Sequence, residues 1–422
     1  MSEVRHVRLR AGGTSVLAQT LRPPWEDPDV ADSVRDTIHR VRERGDAALV
    51  DDAVRFGAPD FTPERIRVPK IDLETAARGI DPALREAITT AATQVRSVAE
   101  ALVPTNKSVA PPAGQMITVR SVPVDAAGCY VPGGRAAYPS SLIMTAVPAQ
   151  VAGVDRVVVA SPPGANNRPS DVILATAYLL GVTEVYAVGG AGAVAALAYG
   201  TASIRPVAVI TGPGSPWVQE AKRQVTSVVG IDGFAGPSEV MIIADATADP
   251  RVLALDLLAQ AEHGPDSSAV FASDDPELVG AVDEALGELG PPVGAVTLVE
   301  AGSMHLALEL AEAFAPEHLQ IWARNAREMA MRVRRAGAVF VGRNCATAFG
   351  DYVAGSNHVL PTGGAARFAS ALGPSTYLRR MSIVDIGDDA AEVLAPSLVA
   401  LAEAEGFPLH AESVRARVEG RP

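Results

Sequence analysis

Apolar positions recur at three- and four-residue intervals over much of the first 125 residues, predicting helices at about Val30–Phe56, Ile71–Arg78 and Pro82–Val103. Pro104 and the run Pro111-Pro112-Ala113-Gly114 break that pattern, and Met116–Pro123 alternates like a strand or hairpin arm. From about residue 140 the rhythm changes. Runs at Arg156–Ala160, Glu184–Val188 and Pro206–Thr211 are separated by helical stretches at Ser170–Leu180, Ala193–Tyr199 and Pro216–Val228. A second series follows residue 238, with strands at Val240–Ala244, Ser268–Ala272, Val296–Val299 and Val339–Val341. Short apolar strands alternating with helices make a parallel sheet covered on both faces. The expected fold class is therefore α/β, with two Rossmann-like doubly wound units and helical N- and C-terminal extensions. The unit boundary falls at Gly233-Phe234-Ala235-Gly236-Pro237, and Asp388–Val418 reads as helical before a polar tail.

Composition narrows the chemistry. The chain has 422 residues, 48% of them hydrophobic, enough for two or three fully cored domains. Its net charge is -13, from 36 Lys and Arg against 49 Asp and Glu, which argues against nonspecific nucleic-acid binding and against an anionic membrane surface. No apolar stretch is long enough to span a bilayer, and no apolar targeting core follows Met1, so a cytoplasmic protein is expected. Cys129 and Cys345 are the only cysteines, too few for a disulfide framework, a zinc finger or an iron–sulfur cluster. Metal or acid–base chemistry must come largely from the seven histidines.

Two glycine-rich turns follow predicted strands. Gly190, Gly192 and Ala195 fit the spacing G-x-G-x-x-A, which lets a backbone approach a pyrophosphate at a helix start. The acidic ribose partner expected about 20 residues later is absent, and close strand–helix packing explains the same glycines. Gly212-Pro213-Gly214-Ser215 repeats the arrangement one unit on, so an anionic ligand across strand ends is one reading.

The polar constellation lies mainly in the second half. Gln260 and His263 share one face at a helix end, an arrangement that suits two ligands on one metal but is more commonly a capping histidine. Glu317-His318 opens the apolar run Leu319–Trp322, and a carboxylate beside an imidazole can activate water and move protons. The segment Gly350–Thr362 holds Asp351 and His358 in what reads as an irregular loop, either a ligand-bearing loop or an Asx-capped turn. His410 precedes the last helix and alone reads as a capping or surface residue.

Taken in order, these words resemble the histidinol dehydrogenase family from about Leu17 to Val418. The words are YVPGG at Tyr130–Gly134, EAKRQV at Glu220–Val225, AGPSEV at Ala235–Val240, QAEHGPDS at Gln260–Ser267, PEHL at Pro316–Leu319 and GDYVAGSNHVLPT at Gly350–Thr362. The resemblance implies one Zn2+ per site held by Gln260, His263, Asp351 and His410, with Glu317 and His318 as the catalytic pair. It further implies that Ser238, His358 and Glu405 touch the substrate, together with His318 and the metal ligands. Tyr130, with the positions of Gly192 and Ser215, would meet NAD. Gly192 and Ser215 stand where the family usually carries Gln and Asn, so the cofactor half departs from the pattern.

The implied organisation is a domain-exchanged homodimer in which the C-terminal segment completes the partner subunit's site. Residues 1–23 would form an N-terminal segment, 24–127 plus 238–380 the catalytic domain, 128–237 the cofactor-side domain and 381–422 the exchange segment. The implied reaction is the four-electron oxidation of L-histidinol to L-histidine through histidinal, a step of histidine biosynthesis. A paralogue oxidising another small polar alcohol, such as a sulfonated propanediol, is one alternative. The other is a zinc-dependent binding protein or hydrolase with weakened NAD binding.

Overall fold

The computed structural model describes residues 4–22, 28–133, 136–234 and 236–419. The chain forms two compact units, one from residues 1–102 and 125–377, the other from 103–124 and 378–422. Fourteen strands appear among the described residues: β1 (Arg5–Leu9), β2 (Lys107–Val109), β3 (Met116–Pro123), β4 (Ala126–Tyr130), β5 (Arg156–Ser161), β6 (Glu184–Ala187), β7 (Val209–Thr211), β8 (Gly230–Ile231), β9 (Glu239–Ala244), β10 (Ser268–Ser273), β11 (Ala295–Ala301), β12 (His318–Trp322), β13 (Ala338–Val341) and β14 (Leu378–Asp385).

The larger unit contains two parallel sheets. One runs β6-β5-β4-β7-β8 and the other β1-β11-β10-β9-β12-β13. Each is doubly wound: the chain leaves a central strand (β4 or β9) in one direction and later returns to build on its other side. Both β4 and β9 are buried along their whole length, as strands covered by helices on two faces must be. Helices Asp171–Leu179 and Gly190–Tyr199 share one buried core with the five-stranded sheet through Ile173 and Leu197, and an outer layer packs on these and neighbouring helices: Pro28–Arg44, Asp46–Arg55 and Lys70–Gly79, through Val34, Val41, Leu49 and Leu73. The predicted α/β class holds.

The predicted helix Val30–Phe56 is two helices, Pro28–Arg44 and Asp46–Arg55, because Gly45 between them takes φ 54°, a conformation that ends a helix. The segment from Gly350, expected to be irregular, begins inside a short helix, Thr347–Tyr352, which carries Asp351. Gly134, Ala235 and the polar tail 420–422 lie outside the described residues.

The smaller unit is built differently. Its sheet β14-β3-β2 is antiparallel, with Leu378–Asp385 paired in full register to Met116–Pro123. Helices Asp388–Ala404 and Pro408–Val418 complete it. Among the described residues no helix is long and apolar enough to cross a membrane.

Candidate active site

Glu317 and His318 meet the start of β9 where β12 begins beside it. His318 opens β12, opposite Val240 on one side and Ala338 on the other. Both side chains are buried. Glu317 Oε2 accepts hydrogen bonds from Ser238 Oγ at 2.7 Å and from the Glu239 backbone N–H at 2.9 Å. His318 Nδ1 lies 3.3 Å from the Glu239 backbone carbonyl. That carbonyl only accepts, so Nδ1 carries a proton and Nε2 faces the site. Nε2 makes no hydrogen bond among the described residues but stands 3.4 Å from Asp351 Oδ1. One residue's main chain, that of Glu239, thus fixes both members of the pair.

The charges are mutually adjusted. Burial pushes the Glu317 carboxyl up, and the neighbouring His318 charge and its two hydrogen-bond donors offset only part of that. Burial alone would lower His318, but the adjacent charges of Glu317 and Asp351 outweigh it and hold the imidazole up at about 9. Burial raises Asp351 less than His318, His358 and His263 lower it, so its carboxyl lies below the usual range. His358 is pushed down, chiefly by burial, despite the attraction of Asp351. Its Nδ1 donates to the Asp351 backbone carbonyl at 2.8 Å, and Nε2 sits 3.5 Å from Ser141 Oγ.

Local chain chemistry explains these placements. Helix Pro250–Ala261 starts on Asp249, whose carboxylate caps Arg251 and Val252, and it ends so that the Gln260 carbonyl accepts both the His263 backbone N–H and its Nδ1–H. His263 is exposed, and its Nε2 has no hydrogen-bond partner among the described residues. Gln260 is buried with its side-chain Nε2 unpartnered. Asn357 holds the His358 loop by donating to the Met144 carbonyl and accepting from Val359, so the Asx turn and the candidate site coexist. Gly350 permits the helix under Asp351: a Cβ there would lie 2.6 Å from the Phe340 ring, which itself packs 5.8 Å from the His318 ring.

The structure brings Ser238, Glu317, His318, Asp351, His358 and His263 into one network. Glu405 and His410 belong to the other unit, where Glu405 caps helix Asp388–Ala404 and His410 stacks 5.2 Å from Phe407; both are exposed. Among the described residues no three His, Cys, Asp or Glu side chains form a metal site.

A separate cavity of about 580 Å³ opens at the carboxyl ends of β4, β5, β6 and β7. Tyr130, Pro162, Gly190, Gly192 and Ser215 line it, so all three residues expected to meet a cofactor face one space. Strand order reverses between β4 and β7, and the carboxyl side of such a switch point is where open α/β sheets bind ligands. Tyr130 accepts the Gly190 N–H at 3.1 Å, leaving its own O–H to donate. A Cβ on Gly190 would meet nothing within 4 Å, so its backbone is open to a ligand.

Three positioning pairs escaped the sequence reading. Arg22 makes a bidentate pair with buried Glu239 at 2.6 and 2.9 Å, anchoring the residue whose backbone holds Glu317 and His318. Buried Lys222 and Asp232 form an ion pair around the Gly212 peptide, with Lys222 donating to its carbonyl at 3.1 Å and Asp232 accepting its N–H at 2.6 Å. Arg40 and Asp52 pair at 2.9 Å on the cavity wall. Glu239 and Lys222 stand inside the specific words AGPSEV and EAKRQV, which was the available signal; Arg22 lies 217 positions from Glu239, and Asp232, though only ten from Lys222, sits outside its word.

The family model described as histidinol dehydrogenase matches residues 21–418. A histidinol dehydrogenase of Rhizobium meliloti is 44% identical over 404 residues, covering 92% of each chain. One from Thermobifida fusca is 41% identical over 433 residues and covers 99% of this chain and 98% of its own. The crystal structure of histidinol dehydrogenase from Elizabethkingia anophelis superposes with a TM-score of 0.92 at 27% identity, over 99% of both chains.

Proposed function

The chain belongs to the histidinol dehydrogenase family, and on that premise we propose that it oxidises L-histidinol to L-histidine through histidinal, using two NAD+ in turn and one zinc ion per site. The observation that carries the reading is the network in which one backbone, Glu239, orients a buried carboxylate and a buried imidazole side by side. Alcohol oxidation needs a base as hydride leaves, and His318 presents Nε2 for that proton. Aldehyde oxidation first needs hydration. Glu317 commits Oε2 to Ser238 and Glu239, and Oε1, unbonded among the described residues, is left to take a proton from water.

The donors fit a divalent cation. Gln260 supplies a buried amide whose oxygen would be the ligand, His263 its Nε2, and Asp351 a carboxyl held in its charged form by surrounding histidines. These three would hold zinc, with His410 of the partner subunit as the fourth ligand. When bound, zinc orients an imidazole- and amine-bearing substrate and, by neutralising Asp351, relieves part of the pull that keeps His318 protonated. Ser238, His358 and the partner's Glu405 would line the substrate.

NAD accepts the hydride, and the cavity at Tyr130, Gly192 and Ser215 would hold it; its volume lies in the range of small-molecule sites. The smaller unit supports a homodimer built by exchange. Its outer residues include Leu409 at 80% exposure and Leu401 at 65%, and strand β14 is exposed over seven of eight positions, large apolar surface that a partner would cover. We place the enzyme in the cytoplasm.

Steady-state NADH formation with L-histidinol tests the reading. Turnover should collapse on chelation and return with zinc. NAD+ binding without histidinol turnover would indicate another small polar alcohol, and no NAD+ binding at millimolar concentration would overturn the dehydrogenase reading.

A further inference from the structure

The cofactor cavity has two unlike walls. The strand-end wall brings Gly189 to Gly192, Ser215 and prolines, groups of little charge. The other wall comes from helices Pro28–Arg44 and Asp46–Arg55, and it supplies the charged lining residues Arg40, Asp52 and Arg55. A dinucleotide brings two phosphate charges into this space, so something must meet them. Arg55 is exposed, with its guanidinium 5.3 Å from the Phe56 ring, and has no anchoring ion pair among the described residues. Arg40 is anchored. Its Nη2 donates to Asp52 Oδ1 at 2.9 Å and to Thr37 Oγ1 at 3.3 Å, while its remaining N–H groups have no partner among the described residues. Asp52 in turn packs against the strand-end wall: a Cβ on Gly192 would lie 3.0 Å from Asp52 Oδ2. The pair therefore bridges the two walls.

We propose that Arg40, held in place by Asp52 and Thr37, is the group that binds the pyrophosphate of the dinucleotide. This rests on the NAD reading above and deepens it. With Nη2 held by Asp52 and Thr37, the Nε–H and Nη1–H groups of Arg40 remain to meet phosphate oxygens singly, and the prior ordering of the side chain reduces the entropy lost on binding. Asp52 acts as a positioning residue. It lowers the net charge of the wall while fixing the direction of the free N–H groups.

Calorimetric titration of the zinc-loaded full chain with NAD+, ADP-ribose and NADP+ tests this. ADP-ribose carries the pyrophosphate without nicotinamide. R40A should weaken NAD+ and ADP-ribose alike, by tenfold or more, and leave the KM for L-histidinol unchanged. R40K, which keeps charge but cannot be anchored at one nitrogen while presenting others, should fall between. D52N should weaken both ligands less than R40A does. Unchanged ADP-ribose affinity in both Arg40 variants would overturn the assignment, and so would a loss confined to NADP+, which would place Arg40 at the adenosine 2′-position. Wild-type protein that binds neither NAD+ nor ADP-ribose would instead remove the cofactor reading on which the assignment stands.

Discussion

The five-stranded sheet opens its cavity where strands end, whereas the six-stranded sheet gathers its polar network where strands begin. Tyr130, Pro162, Gly190 and Ser215 all follow or close strands. Ser238, Glu317 and His318 all precede or open them. Ligand binding in doubly wound sheets is ordinarily a property of the carboxyl edge, so only one of these sheets follows the rule. Helix direction explains how both edges serve. At the carboxyl edge helices start: Gly189 and Ser215 occupy the N-cap positions of Gly190–Tyr199 and Pro216–Gln224 without bonding their first N–H groups through a side chain. The positive ends of their dipoles suit phosphates. At the amino edge helix Pro250–Ala261 finishes, and its negative end suits a cation near Gln260 and His263. The same architecture thus offers anion chemistry on one sheet and cation chemistry on the other. The amino-edge network is heavily bonded and charged; the carboxyl-edge cavity is open and lightly bonded. A fixed polar centre paired with an open cavity fits the proposed reaction, in which the cofactor would be exchanged between two oxidations.

The comparison breaks first at Glu317. Glu317→Gln should slow histidinal oxidation by about 10²–10⁴-fold and the alcohol step much less, measured by single turnovers from each substrate. Equal losses would remove the water-activating role and leave Glu317 as part of the scaffold. Next comes the clamp of the other sheet. Asp232→Asn strands the buried Lys222 ammonium and should cost about 3–5 kcal/mol of stability, read by denaturant unfolding, while raising the KM for NAD+ over that for histidinol. A parallel rise in both constants would show that the two edges are not independent.

The smallest effect concerns Cys129, which is fully buried in the five-stranded sheet with its thiol pushed up to about 12 by burial. The unfolded thiol ionises near about 8.5, so between that pH and about 12 the folded state holds the extra proton and stability falls as pH rises. The slope is at most about 1.4 kcal/mol per pH unit. Cys129→Ala should flatten stability measured from pH 8.5 to 10, and an unchanged slope would show that water reaches the thiol.

The sheets were legible because β-branched runs such as Arg156–Ser161 and Glu239–Ala244 are buried on both faces and need not alternate. β12 was legible only as an apolar run, Leu319–Trp322, entered at Glu317-His318, because Gln320 interrupts it; both His318 and Gln320 are buried, Gln320 through a 2.7 Å bond to Asp256. β1 hid behind its arginines, one of which pairs with Glu300 on the neighbouring strand. The pairing of β14 with β3 joins segments about 260 residues apart, and no local pattern encodes such a partner. The site divides similarly. Glu317, His318 and Asp351 could be read from motif words, but their shared attachment to Glu239 arises only when two strand starts become neighbours.

Helix Thr347–Tyr352 is six residues long, well short of the roughly 12–15 at which a helix is even marginally stable alone. Its order is borrowed from Phe340 beneath Gly350 and from the bond that His358 makes to the Asp351 carbonyl. Asp351, the geometry of His358 and the charge balance on His318 therefore share one local opening equilibrium. A fluctuation that frays this turn, at a free energy below that of global unfolding, would disable all three together, so the enzyme's working fraction is governed by the stability of a single helical turn.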